Sequence, residues 1–163
     1  ILRVTDSVIS GSAALYVLDT DRASDWYPKD LDIYAPNHSY KQIINYLIAL
    51  EDYEKLETPP PRKYPYAASG ISSVTHLHRD GIQIDIIQSA TRSALHPIPC
   101  FWATHVMNYL SADNFCIAYP EYTLSGKALL NPIHLVECFY PPPATLTNLS
   151  KYMERGYDFR MRP

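Results

Sequence analysis

Asp30-Leu31-Asp32-Ile33-Tyr34, closed by Pro36, alternates strictly between polar and apolar side chains. That is the period of a strand with one buried face. A period of two sends Leu31 and Ile33 into a core and leaves Asp30 and Asp32 together on the opposite face. Two carboxylates on one face repel each other and add nothing to a sheet. A divalent cation removes the repulsion and turns the pair into a ligand set. Farther along, Ile82-Gln83-Ile84-Asp85-Ile86-Ile87 repeats the theme, with Ile82, Ile84 and Ile86 on the buried face and Gln83 and Asp85 on the other. This run and the one from Ile71 to His78 flank Arg79-Asp80-Gly81, and two β-rich runs around Asp-Gly predict a hairpin. With that strand beside the first, Asp30, Asp32 and Asp85 converge on one patch. Hard oxygen donors of this kind suit Mg²⁺ or Mn²⁺ carrying phosphate oxygens, and three can hold two metals for in-line displacement.

Before the acidic strand, Asp6 to Ser10 reads as a helix end or a short strand leading into Gly11, and Ser12 caps a helix that runs to Leu18. Gly11 lets the backbone approach a ligand closely, and Ser12 offers a hydroxyl and an amide at a helix start, where free N–H groups and the macrodipole favour phosphate. Asp19 to Lys29 is polar and aperiodic and reads as a loop. From Ser39 to Tyr53, Ile43, Ile44, Leu47, Ile48 and Leu50 recur at helical spacing. Thr58 to Lys63 reads as a polyproline connector. After the hairpin, helices are expected over Phe101 to Leu110, Thr123 to Leu130 and Thr145 to Arg155, the last stopped at Gly156, with a short strand from Asn114 to Tyr119. Pro141-Pro142-Pro143 separates the last segments. The class expected is α+β, a small mixed sheet of three or four strands flanked by helices, with a core over residues 1–90 and a helical C-terminal part over 91–163 packed on the same domain.

The elements Ile9-Ser10-Gly11-Ser12, Asp30-Leu31-Asp32-Ile33-Tyr34 and Ile84-Asp85-Ile86, in that order, resemble the signature of the DNA polymerase beta-like nucleotidyltransferase superfamily. That signature is an apolar strand, Gly-Ser opening a helix, an Asp-x-Asp strand and a third acid on a later strand. The resemblance covers Gly11 to Gln88. More loosely, Thr104 to Tyr109, Tyr119 to Leu124 and Lys151 to Tyr157 are similar to segments of uncharacterised fungal proteins with this domain. The resemblance implies the nucleotidyltransferase fold and transfer of a nucleoside monophosphate from an NTP, ATP among them, to a hydroxyl on a small molecule, a protein or an RNA end. It makes Asp30 and Asp32 bridging ligands for Mg²⁺ or Mn²⁺, gives Asp85 the second metal and a part in deprotonating the acceptor, and puts Gly11 and Ser12 on the β- and γ-phosphates. Two features depart from it. Ala13-Ala14-Leu15 lacks the arginine that minimal members carry after Gly-Ser, and the Asp19 to Lys29 insertion is longer than in compact members.

Blander readings stand beside these. An isolated Asp-x-Asp at a strand end reads as a solvated turn flank. His76 and His78 share a strand face and read as a solvated hairpin edge, since no third ligand accompanies them. Lys127, near an expected helix start, has the reach to contact a triphosphate, as have Lys29 and Arg22, though each also reads as a surface cation. Tyr34, Tyr119 and Tyr122 offer rings to a base but read equally as packing. Other readings of the whole are a catalytically inactive nucleotidyltransferase-like module acting through protein interaction, and a phosphohydrolase using the same acids.

Composition bounds these choices. At 163 residues the chain buries roughly 70% of its unfolded surface without a metal or disulfide staple. Apolar types at 47% against 19% charged exclude wholesale disorder. A formal charge of −3 argues against binding nucleic acid by bulk electrostatics, while leaving a nucleotide open. Cys100, Cys116 and Cys138 are odd in number and never paired as CxxC, which favours a reducing, intracellular and cytoplasmic setting over a zinc or disulfide framework. No apolar run approaches a membrane span, so no membrane partner is expected. The opening Ile1-Leu2-Arg3-Val4 lacks an initiator Met and reads as an excised domain or an unobserved leader.

Overall fold

A computed structural model describes residues 1–57, 69–134 and 143–162; the connector at 58–63 and Pro141-Pro142 lie outside them. In chain order the elements are α1 (Leu2–Thr5), β1 (Val8–Ser10), α2 (Gly11–Leu18), β2 (Asp30–Ala35), α3 (Tyr40–Leu50), β3 (Glu54–Lys55), β4 (Ile71–Arg79) and β5 (Ile82–Ser89). There follow β6 (Asn108–Leu110), β7 (Phe115–Ile117), α4 (Pro120–Thr123), β8 (Lys127–Leu129), α5 (Pro143–Glu154) and β9 (Asp158–Arg160). The architecture is mixed α and β, with a seven-stranded sheet ordered β3-β4-β5-β2-β1-β6-β7 and a separate pair β8-β9. Among the described residues, β2 and β5 are the one parallel pair within the large sheet, and its other pairs are antiparallel.

The alternation seen in the sequence sorts the two faces of this sheet. Ile33 and Ala35 of β2, Ile84 and Ile86 of β5 and Leu77 of β4 pack on one face against Ile43 and Leu47 of α3. Those two helix residues are four apart and therefore share a stripe. Burying each such side chain contributes about 1.5–3 kcal/mol, so this layer anchors β2 and β5 side by side. The opposite face changes character along its length. Tyr34 and Ile87 are covered by Ala94, Ile98 and Met107, while Asp30 and Asp32, nearer the start of β2, remain only half-buried. The hairpin forms as expected: Asp80 and Gly81 both take positive φ (49° and 80°), as a tight two-residue turn with right-handed twist requires.

Three expectations are corrected. The sheet has seven strands rather than three or four, because the short strands β3, β6 and β7 extend it. Phe101 to Leu110 is not a helix but a 3-10 turn at Thr104–Val106 followed by β6, whose Tyr109 and Leu110 pair with Ser10 and Ile9. Thr123 to Leu130 is not a helix either: α4 ends at Thr123, Gly126 takes a φ of 69°, and Lys127–Leu129 pairs with the distant Asp158–Arg160. In both segments a remote strand supplies hydrogen bonds that a local helix would otherwise provide. Among the described residues, the portion after residue 90 therefore carries four strands besides its helices, two of them within the main sheet.

Candidate active site

The register of the central strands decides where the acids lie. Asp32 and Asp85 are direct partners in the parallel β2·β5 pair, and Asp30 faces Gln83 two residues along. Partners in a ladder project to the same side, so Asp30, Asp32 and Asp85 share the face opposite α3. On the other flank, Ser10 of β1 is the partner of Asp32, and its hydroxyl donates to the Asn108 carbonyl at 2.5 Å. Gly11 follows at φ 65°, and a Cβ there would come within 2.6 Å of Asp32 Oδ2. A glycine is thus needed twice over, for the backbone turn into α2 and for the room the carboxylate occupies. The amides at the start of α2 have no intrahelical partners, so Gly11 and Ser12 set a small positive field beside the acids.

The electrostatics reflect this crowding. Burial, then the charges of Asp30 and Asp85, pushes the Asp32 carboxyl up to about 7, with Lys151 acting the other way. Lys151, on α5, is itself lowered by burial and by Arg155, while Asp30 and Asp32 favour its charged form. Asp85 is held differently: its Oδ1 accepts from His76 Nδ1 at 2.8 Å and from Gln83 Nε2 at 2.8 Å.

A cavity of about 190 Å³ lies between the acidic face and α5. It is lined by Gly11 and Ser12 of α2, by Asp30 and Asp32 of β2, and by Asn148, Lys151 and Tyr152 of α5, with Trp102 also in the lining. Asp85 stands beside Asp32 without lining it. Among the described residues, no three His, Cys, Asp or Glu side chains form a ready metal-ion cluster. The donor chemistry still fits a divalent cation: hard carboxylate oxygens share one face, and burial followed by the like charges of Asp30 and Asp85 raises the Asp32 carboxyl, a repulsion that a cation would offset. A larger open cavity of about 490 Å³, lined in part by Arg3, Arg92 and Asp113, lies around the other end of β1 and includes none of these acids.

Of the residues singled out in the sequence, Gly11, Ser12, Asp30, Asp32 and Asp85 come together. Lys127 does not line the cavity; it lies on the two-stranded sheet, opposite Asp158. Arg22 sits over the Tyr16 ring at 3.9 Å and donates to the Tyr16 and Asp19 carbonyls. His76 is not a free hairpin edge, since it bonds Asp85. The sequence carried the signal for that: a two-residue turn at Asp80-Gly81 places Arg79 opposite Ile82 and, three steps back along each arm, His76 opposite Asp85. Lys151 and Tyr152 had no such signal, because only tertiary packing brings α5 over the acids. No family model and no curated protein sequence matches the chain.

Proposed function

We propose that this chain is a metal-dependent nucleotidyltransferase that moves a nucleoside monophosphate from an NTP to a hydroxyl acceptor, on a nucleotidyltransferase fold. The observation that carries the reading is the two-signed cavity: paired carboxylates and a helix start on one wall, an ammonium on the other. Carboxylates on one face want a cation, and Lys151 with the amides of Gly11 and Ser12 want an anion. A metal-chelated triphosphate satisfies both. The resemblance of Gly11-Ser12, Asp30-Leu31-Asp32 and Asp85 to the polymerase beta-like signature supports the same reading.

In this reading Asp30, Asp32 and Asp85 hold Mg²⁺ or Mn²⁺. Bound metal supplies acidification of the acceptor hydroxyl and neutralisation of charge on the departing pyrophosphate. Gly11 and Ser12 orient the phosphates through backbone N–H groups, and Lys151 adds a positive charge to the opposite side of the tail. Trp102 and Tyr152 add aromatic surface to the lining of the cavity.

A second reading, a nucleotidyltransferase-like module that binds without turnover, is favoured by one observation: Asp85 does not line the cavity that Asp30 and Asp32 line. Incubation with each of four labelled NTPs, Mg²⁺ and a cell extract separates the two. Transferred label with pyrophosphate release, lost in Asp30→Ala and Asp85→Ala, is the result expected of the transferase. Inorganic phosphate in place of pyrophosphate marks a phosphohydrolase, and no turnover with any NTP leaves the binding module.

A further inference from the structure

Asp85 has its side chain only 14% exposed and lies directly beside Asp32. A buried carboxylate must find donors, and Asp85 finds two, both on the same oxygen. His76 comes from the neighbouring strand as its direct antiparallel partner, and Gln83 from two residues earlier on its own strand and the same face. A carboxylate only accepts, so His76 Nδ1 carries the proton in this bond. Two donors at 2.8 Å on Oδ1 hold the carboxyl group against rotation and leave Oδ2 as the oxygen without a donor among the described residues.

We propose that His76 is a positioning residue: together with Gln83 it fixes the Asp85 carboxylate so that Oδ2 is presented for a divalent cation on the face shared with Asp32. This rests on the metal-dependent reading above. His76 needs no contact with substrate in this role, and its value lies in which oxygen of Asp85 it occupies. Partners of metal-binding carboxylates and histidines are worth about 10–100-fold in metal affinity, which sets the size of the effect.

The two amide replacements separate position from polarity. Asn places its side-chain nitrogen near that of His Nδ1, whereas Gln places it near Nε2, away from Asp85 Oδ1. Both are polar, and a half-exposed strand position accommodates both, so each variant should fold; thermal melts check this. Mn²⁺ binding is followed by calorimetry and by the paramagnetic resonance signal of the free ion, with no substrate present. The result expected is near-native affinity in His76→Asn and at least tenfold weaker binding in His76→Gln. In Asp85→Asn the His76→Gln change should cost nothing further, because the oxygen it orients is gone. Gln83→Leu provides an independent second variant, with a smaller loss in the same direction. Nitrogen-15 shifts of the metal-free protein should assign the His76 proton to Nδ1.

Native Mn²⁺ affinity in His76→Gln, where Asp85→Asn binds weakly, overturns the positioning role and leaves the metal site standing. A His76 proton on Nε2 alone also overturns it. Absence of Mn²⁺ binding in the unaltered protein overturns the metal-dependent reading and this inference with it.

Discussion

Asp32 is held where its ionised form is disfavoured, and that has a measurable sign. Its carboxyl titrates near 7 in the fold against 3.8 as a free side chain, with Asp30, Asp85 and Lys151 as the charges facing it. Folding therefore holds a proton that the unfolded chain gives up. The resulting stabilisation is complete below the lower value and is lost as pH rises through the upper one. Asp32→Asn has no proton to lose, so its stability relative to the parent should rise by about 2 kcal/mol between pH 5 and 8. Urea melts across that range check this, and a difference independent of pH contradicts it. Gly11→Ala acts on the same carboxylate from the other side. A left-handed φ and a Cβ at 2.6 Å from Asp32 Oδ2 together should cost about 1–3 kcal/mol. In an Asp32→Ala background the steric part disappears, so the loss should shrink toward the backbone strain alone. An undiminished loss in the double variant would mean the carboxylate does not occupy that space.

At the scale of elements, the hairpin and β2 were legible because their information is local. Strict alternation gave both strands their buried faces, and Asp80-Gly81 gave the turn and hence the register. Gly81→Val should therefore destabilise the protein by about 1 kcal/mol, since a β-branched residue resists φ of 80°, and should weaken the His76–Asp85 pairing. Melts together with the imidazole resonances of His76 test this; an unchanged melt would show that the turn is not what sets the register. The segments misread had the opposite character. Trp102, Val106 and Tyr109 fall at helix-like spacing, yet Asn108–Leu110 is claimed by β1 and β7 from both sides. Lys127–Leu129 is claimed by a strand some thirty residues downstream, although Gly126 offered a local stop. The candidate site divides the same way. Asp30, Asp32, Asp85, Gly11 and Ser12 follow from strand period and a helix start, while Lys151 depends on where α5 comes to rest.

For the whole molecule, the aromatic cluster built from Leu15, Trp26, Val106, Tyr152 and Tyr157 ties the C-terminal part to α2. Arg155 lies over the Trp26 ring at 4.0 Å, and the Tyr157 hydroxyl donates to Asp19 at 2.5 Å. His105 is wholly buried in this cluster, flanked by Trp102, Tyr152, Tyr157 and Phe159, and neither ring nitrogen has a hydrogen-bond partner among the described residues. Burial first, then the cations Lys151 and Arg155, lowers its pKa from 6.5 to about 3. The unfolded chain takes up this proton and the folded one does not, so the stabilisation is full above 6.5 and lost as pH falls toward 3. Relative to the parent, His105→Leu should gain about 2 kcal/mol between pH 7 and pH 5; a parallel acid dependence in the two proteins would contradict this. The Asp32 contribution falls as pH rises from 3.8 to about 7 and the His105 contribution rises from about 3 to 6.5, so over their overlap the two cancel and leave a broad stability plateau between about pH 4 and 6.5. The cluster and the acidic face both lie against one cavity, and what that cavity binds is the point on which the functional account turns. Titrating ATP into the protein by calorimetry at pH 7.5, with Mg²⁺ and then with a chelator, tests it most directly. Saturable binding only with Mg²⁺, lost in Asp32→Ala, is the result expected; binding that survives the chelator, or no binding of ATP or, in repeat titrations, of the other three NTPs, would contradict a metal-dependent nucleotide site.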